Sequence, residues 1–149
     1  MALILIADDD ALVVDLVRDA LGARGHIVGA VDNGMMVITV VELKQPDLVI
    51  LDCSMPELSG VEALRQIRYS RSAHATPVVM LTVRRSEADE EIAIRAGAND
   101  YLRKPFDPDQ LVSRVEMLLE RAELKKQPVI ERSPLYQPPP SPERRWGQR

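Results

Sequence analysis

The feature that most restricts this chain is a repeated change of period. Short apolar runs at Leu3–Ala7, His26–Val31, Leu48–Leu51, Pro77–Leu81 and Asp100–Leu102 read as strands. Between and after them, apolar residues recur every three or four positions, which predicts helices over 11–23, 34–44, 58–70 and 86–96, and a last one opening near Pro108. In the first helix Val13, Leu16, Val17, Ala20 and Leu21 are expected to face inward and Asp15, Arg18 and Asp19 outward. In the last, Leu111, Val115, Leu118 and Leu119 form the inward stripe. Leu48–Leu51 is apolar throughout, as a strand buried on both faces must be. Five strands alternating with five helices imply a doubly wound α/β fold, a parallel sheet covered on both sides. In such sheets the binding crevice lies at the carboxyl ends of the strands.

Composition bounds the function. The chain has 149 residues, 46% of them hydrophobic but only five aromatic (Phe106, Trp146 and three Tyr), so the core must be aliphatic. Residues 1–124 carry 13 Lys/Arg against 21 Asp/Glu, whereas residues 125–149 carry 6 against 2. An ordered part this acidic lacks the clustered cations that bind nucleic acid, so no direct nucleic-acid contact is expected. No apolar run approaches the ~18 residues of a membrane span, so no membrane insertion is expected. The N-terminus shows no secretory-signal pattern, and the lone Cys53 forms no internal disulfide, so a reducing, cytoplasmic location is expected. Six of the last 25 residues are proline, including Pro138-Pro139-Pro140. The expected organisation is therefore an ordered domain over 1–124 and a disordered, basic, Pro-rich tail over 125–149.

Chemistry concentrates at the expected strand ends. The first strand runs into Asp8-Asp9-Asp10, the third ends in Asp52, the fourth in Thr82, and the fifth leads to Lys104-Pro105. Asp10 serves well as a helix N-cap alone. Asp8 and Asp9, crowded with Asp52, would repel by roughly 4 kcal/mol per close pair at an effective dielectric near 20. Lys104 supplies one compensating charge, and a divalent cation supplies two. Mg²⁺ suits such a site, because it binds through one or two carboxylates, keeps waters and accepts phosphate oxygens; Mn²⁺ is the alternative. A carboxylate there can attack a phosphoryl group, while a lysine and a hydroxyl bind its oxygens. Asp52 would be the acceptor, although chain order alone does not set it above Asp9 as the nucleophile.

Four segments together resemble a known family. They are Ile4–Asp10, Leu51-Asp52-Cys53-Ser54-Met55-Pro56-Glu57-Leu58-Ser59-Gly60, Leu81-Thr82, and Ala96–Phe106. In this order and at these strand ends they are similar to the receiver domains of two-component response regulators, over about residues 2–124. The resemblance implies a flavodoxin-like, CheY-like fold with strand order 2-1-3-4-5. It implies that Asp52 accepts a phosphoryl group from a histidine kinase or a histidine phosphotransfer protein. It further implies that Asp9, Asp52 and the Ser54 backbone carbonyl hold the metal with help from Asp8. Thr82 and Lys104 would read the phosphoryl group, Tyr101 would turn inward as the signal, and Lys104–Pro105 would be a cis peptide. The output would pass to a target protein through the fourth helix, fifth strand and fifth helix.

On this reading the chain is a phospho-accepting switch in a phosphorelay, not a turnover enzyme. It is a monomer or a phosphorylation-dependent dimer. Residues 125–149 are too short for a DNA-binding domain, so a stand-alone regulator is expected. Asp100, Arg114 and Arg121 match the dimer face of the winged-helix regulators, whereas Glu90, Asn99 and Gln110 do not. Val83 stands where the family usually has Ala or Gly, and Ser54 and Arg84 occupy positions that tune dephosphorylation. Of the adjacent Met35 and Met36, one is expected at the surface. Two other classes compete: a phosphate-independent interaction module, and a flavin binder or aspartate-based phosphatase. The last is disfavoured because Ser54 stands where a second aspartate is needed.

Overall fold

The computed structural model describes residues 1–83, 87–126, 134, 135, 137 and 138. The expectations for Arg84 and for most of the tail, including Pro139, Pro140 and Trp146, lie outside the described residues. By its backbone contacts the chain divides into Met1–Leu119 and Glu120–Arg149.

In the first unit the strands are β1 (Leu3–Ala7), β2 (Ile27–Val31), β3 (Leu48–Asp52), β4 (Val78–Thr82) and β5 (Asp100–Arg103). The helices are α1 (Ala11–Gly22), α2 (Met35–Lys44), α3 (Gly60–Tyr69), α4 (Glu87–Arg95) and α5 (Pro108–Lys126), the last running into the second unit. All strand pairs are parallel, in the order β2-β1-β3-β4-β5. This is the flavodoxin-like arrangement. In the second unit the described helical residues Glu120–Lys126 include an ion pair between Lys126 and Glu123 at 3.5 Å.

The period of two along the strands sorts the core into two layers. On one face Ile4, Ile6, Leu48, Ile50, Val79 and Leu81 pack with α1 and α5, through Val14, Val17, Leu21, Leu111, Val115 and Leu118. On the other face Leu5, Ala7, Val49, Leu51, Val78 and Met80 pack with α2, α3 and α4, through Val37, Val41, Leu64, Ile67 and Ala93. Full burial of each large aliphatic side chain is worth about 1.5–3 kcal/mol. β3 and β4 are buried at every position, as strands in the middle of a sheet covered on both sides must be.

Three local readings change. The buried stripe of α1 is Val14, Val17 and Leu21, while Leu16 is 41% exposed. Val13 and Ala20 are half-buried at the edge of that stripe, and Asp10 caps the helix, its carboxylate accepting from the Leu12 N–H at 2.9 Å. Helix α3 starts at Gly60 rather than 58, since Glu57 is left-handed (φ 69°) and Ser59 caps the helix by accepting from the Glu62 N–H. Both Met35 and Met36 are exposed, because Val37 and Val41 take the inward positions of α2.

At the amino ends of β4 and β5, Arg68 of α3 is half-buried and fully engaged. Its guanidinium donates to the carbonyls of Gly97 (2.7 and 3.0 Å), Thr76 (2.6 Å) and His74 (3.1 Å), and to Asn99 Oδ1 (2.8 Å). Burial lowers its pKa, so these bonds hold a cation that would otherwise prefer water.

Candidate functional site

Register alone assembles the site. Ala7 pairs with Leu51, Asp52 with Leu81, and Thr82 with Arg103. The residues at or just past these positions, Asp8, Asp52, Thr82 and Lys104, therefore emerge side by side at one edge of the sheet. Backbone bonds hold the ends there: Cys53 N–H to Leu81 O (2.9 Å), Lys104 N–H to Thr82 O (2.7 Å) and Asp8 N–H to Val31 O (3.1 Å).

Asp8, Asp9 and Asp52 bring carboxylate oxygens within 4.8 Å of one another. Asp8 and Asp52 are buried and Asp9 is exposed. Lys104 Nζ lies 2.7 Å from Asp8 Oδ2 and 3.5 Å from Asp52 Oδ1. The other Asp8 oxygen accepts from the Asp10 N–H at 2.9 Å. The Ser54 N–H donates to Asp52 Oδ1 at 3.3 Å. The Asp52 pKa is pushed up to about 6, first by burial and then by the Asp8 charge, against the opposing pull of Lys104 and the Ser54 N–H. Burial works against the Lys104 ammonium, but its bond to Asp8 and the charges of Asp52 and Asp8 outweigh it, and its pKa is raised.

Three carboxylates facing one ammonium leave a net negative pocket of hard oxygen donors. That donor set fits a divalent cation with oxygen preference. An open groove of about 540 Å³ runs from Asp8 and Asp9 past Val14, Arg18, Val31 and Met36, so these two carboxylates border open space.

Thr82 is buried at the end of β4, next to the cluster in the sheet. Tyr101 is buried on β5; its hydroxyl pKa is raised chiefly by burial, with a hydrogen bond to Thr82 acting the other way. The Lys104–Pro105 peptide is cis. Val83, directly after Thr82, is 66% exposed. On the fourth-helix, fifth-strand, fifth-helix face, Arg114 pairs with Asp100 of its own chain at 2.6 Å, and Glu90 faces Arg103 at 3.7 Å. Asn99 is engaged internally, accepting from Val78 N–H and Arg68.

Sequence reasoning passed over Gly34 and Gly60. A Cβ on Gly60 would lie 2.9 Å from the Asp52 carbonyl carbon, and one on Gly34 would lie 2.7 Å from the Leu58 carbonyl carbon. The sequence carries no sign of these approaches beyond the residue type.

A family model described as the response regulator receiver domain matches residues 4–116. The chain belongs to that family. Among its relatives, the transcriptional regulatory protein CpxR of Klebsiella pneumoniae is 36% identical over 83% of this chain and 52% of its own length. The alkaline phosphatase synthesis transcriptional regulatory protein PhoP of Bacillus subtilis is 34% identical over 81% of this chain and 50% of its own. The receiver thus spans about half the length of these relatives. Among solved structures, the receiver domain of sensor histidine kinase PA1611 from Pseudomonas aeruginosa superposes with a TM-score of 0.74 at 28% identity, covering 80% of this chain and 98% of that one. That structure has a magnesium ion coordinated in its active-site cleft. Receiver domains work with histidine kinases and downstream effectors in signal transduction. Among the described residues, no helix is long and apolar enough to cross a membrane.

Proposed function

We propose that this receiver is a phosphoryl-accepting switch whose acceptor is Asp52. The observation that carries the reading is the meeting of Asp8, Asp9 and Asp52, with oxygens within 4.8 Å of one another, around a pocket where Lys104 pairs with both Asp8 and Asp52. The Asp52 carboxylate attacks the phosphorus of a phosphohistidine on a histidine kinase or phosphotransfer protein. The acyl phosphate forms as the bond to the imidazole nitrogen breaks. Asp9 and Asp52 have oxygens to offer a metal together with the Ser54 carbonyl. Both Asp8 oxygens already accept hydrogen bonds, which suits Asp8 to a supporting part. Bound Mg²⁺, or Mn²⁺, supplies charge neutralisation on the transferring group. Lys104 pairs with one phosphoryl oxygen, and the Thr82 hydroxyl donates to another. Thr82 then exchanges its bond with Tyr101 for one to the phosphoryl group. This couples the site to β5 and, through the α4–β5–α5 face, to a target protein.

The receiver carries out its own phosphoryl transfer and hydrolysis and turns over no external substrate. The internal Asp100–Arg114 pair favours a monomer before phosphorylation, since it occupies a charge that a partner copy would need. Incubation with acetyl phosphate and Mg²⁺, followed by intact mass, tests the reading. One added phosphoryl mass is expected in the wild type and none in Asp52→Asn. No adduct in the wild type favours a phosphate-independent module.

A further inference from the structure

The loop between β3 and α3 carries Ser54 and starts at Asp52, and its path is set by what it touches. Leu58 N–H turns back to Pro56 O at 2.8 Å, Gly60 N–H bonds Cys53 O at 3.1 Å, and Glu57 is left-handed between them. Gly34, at the start of α2, lies against this loop. Its N–H reaches Pro56 O at 3.5 Å. A Cβ at Gly34 would sit 2.7 Å from the Leu58 carbonyl carbon and 2.8 Å from the Leu58 Cβ, with the Leu58 oxygen nearer still. These are backbone and Cβ positions, so no side-chain rotation relieves the clash.

Gly34 has ordinary helical dihedrals (φ −71°, ψ −26°), so the need for glycine here is one of space and not of backbone freedom. Restoring normal contact would take a movement on the order of 1 Å. Helix α2 cannot supply it cheaply, because Val37 and Val41 anchor it fully buried against the sheet. The loop is the looser side, because Ser54, Pro56, Glu57 and Ser59 are exposed and Met55 and Leu58 are only partly buried against the core.

We infer that Gly34 is a positioning residue for the metal and acceptor site, letting α2 seat the loop that aims the Ser54 carbonyl beside Asp52. The inference rests on the proposed function. Mg²⁺ tolerates little departure from octahedral geometry, so a loop displaced by about 1 Å loses a ligand rather than stretching to it.

The test uses the full chain as wild type, Gly34→Ala and Val115→Ala, the last opening a cavity in the core layer on the opposite face of the sheet. Mg²⁺ affinity is measured by calorimetry and stability by thermal unfolding. Gly34→Ala is expected to weaken Mg²⁺ binding about tenfold or more, the scale of a lost supporting contact. Val115→Ala is expected to lower the melting temperature while keeping Mg²⁺ affinity within about twofold of wild type, since the loop and the helix that seats it pack on the other face. Wild-type Mg²⁺ affinity in Gly34→Ala overturns the inference alone. A wild type that binds no Mg²⁺ overturns the functional reading with it. If Gly34→Ala does not fold, amide NMR of the wild type decides. Mg²⁺ must then shift the Gly34 and Leu58 amides while leaving Val41 in place, and an unmoved Gly34 amide overturns the inference.

Discussion

The two ends of the sheet solve opposite problems with the same kinds of side chain. At the amino ends of β4 and β5, one cation, Arg68, satisfies four neutral acceptors drawn from segments far apart in sequence. At the carboxyl ends, three carboxylates crowd together, and one ammonium pairs with the two that are buried. The first arrangement closes loops by matching one cation to neutral acceptors. The second holds Asp52 with a pKa near 6 and stores repulsion that a cation would relieve. One end is built for persistence and the other for change.

Replacing Arg68 should break the comparison most visibly. Arg68→Met leaves three carbonyls and the Asn99 side chain short of a donor, and chemical unfolding should show a loss of about 2–3 kcal/mol. The folded fraction should still take up phosphoryl from acetyl phosphate at the wild-type rate, since nothing at the far edge has moved.

A change at the acidic edge should have the opposite sign. Without metal, the folded state holds a proton on Asp52 up to about pH 6, whereas the unfolded chain releases it near the ordinary carboxylate value. The folded state thus binds more protons between those limits, and stability should fall as pH rises through them, then level off. Asp52→Asn should remove that slope and raise metal-free stability at pH 8 by about 1–2 kcal/mol. Millimolar Mg²⁺ should narrow the gap by stabilising the wild type, as read by unfolding curves with and without metal. A wild type no less stable at pH 8 than at pH 4 would count against the stored repulsion.

The smallest effect belongs to the exposed pair between Arg24 and Glu116 of α5, joined at 2.7 and 3.0 Å. Water and salt screen it, so Arg24→Ala should shift the melting temperature by no more than the scatter between repeat scans.

The layered parallel sheet and the converging aspartates were legible because both depend on coarse pattern: apolar runs at strand spacing, and charged residues directly after them. The exact edge of the α1 stripe was not legible, since Val13, Val14, Leu16 and Val17 are all apolar and composition does not separate the buried Val14 from the exposed Leu16. Arg68 went unnoticed for a related reason: its acceptors are mostly backbone carbonyls, which every residue supplies. The close approach at Gly34 is tertiary as well; within α2 the residue looks like an ordinary helix start. Met35 and Met36 show the limit of hydrophobicity as a guide, because a helix that is apolar all round gives no signal of which side meets solvent.

The in-register strand ends have a consequence for what this chain can tolerate. Each site side chain is addressed by counting residues along a strand, so a single deletion inside β4 would swing Thr82 to the opposite side of the sheet and erase the pocket at a stroke. Insertions in the turns at the far edge leave that count intact. Variation is therefore ruinous within the strands and cheaper in the far-edge turns outside the Arg68 network, which makes those turns the place to graft a tag or a reporter.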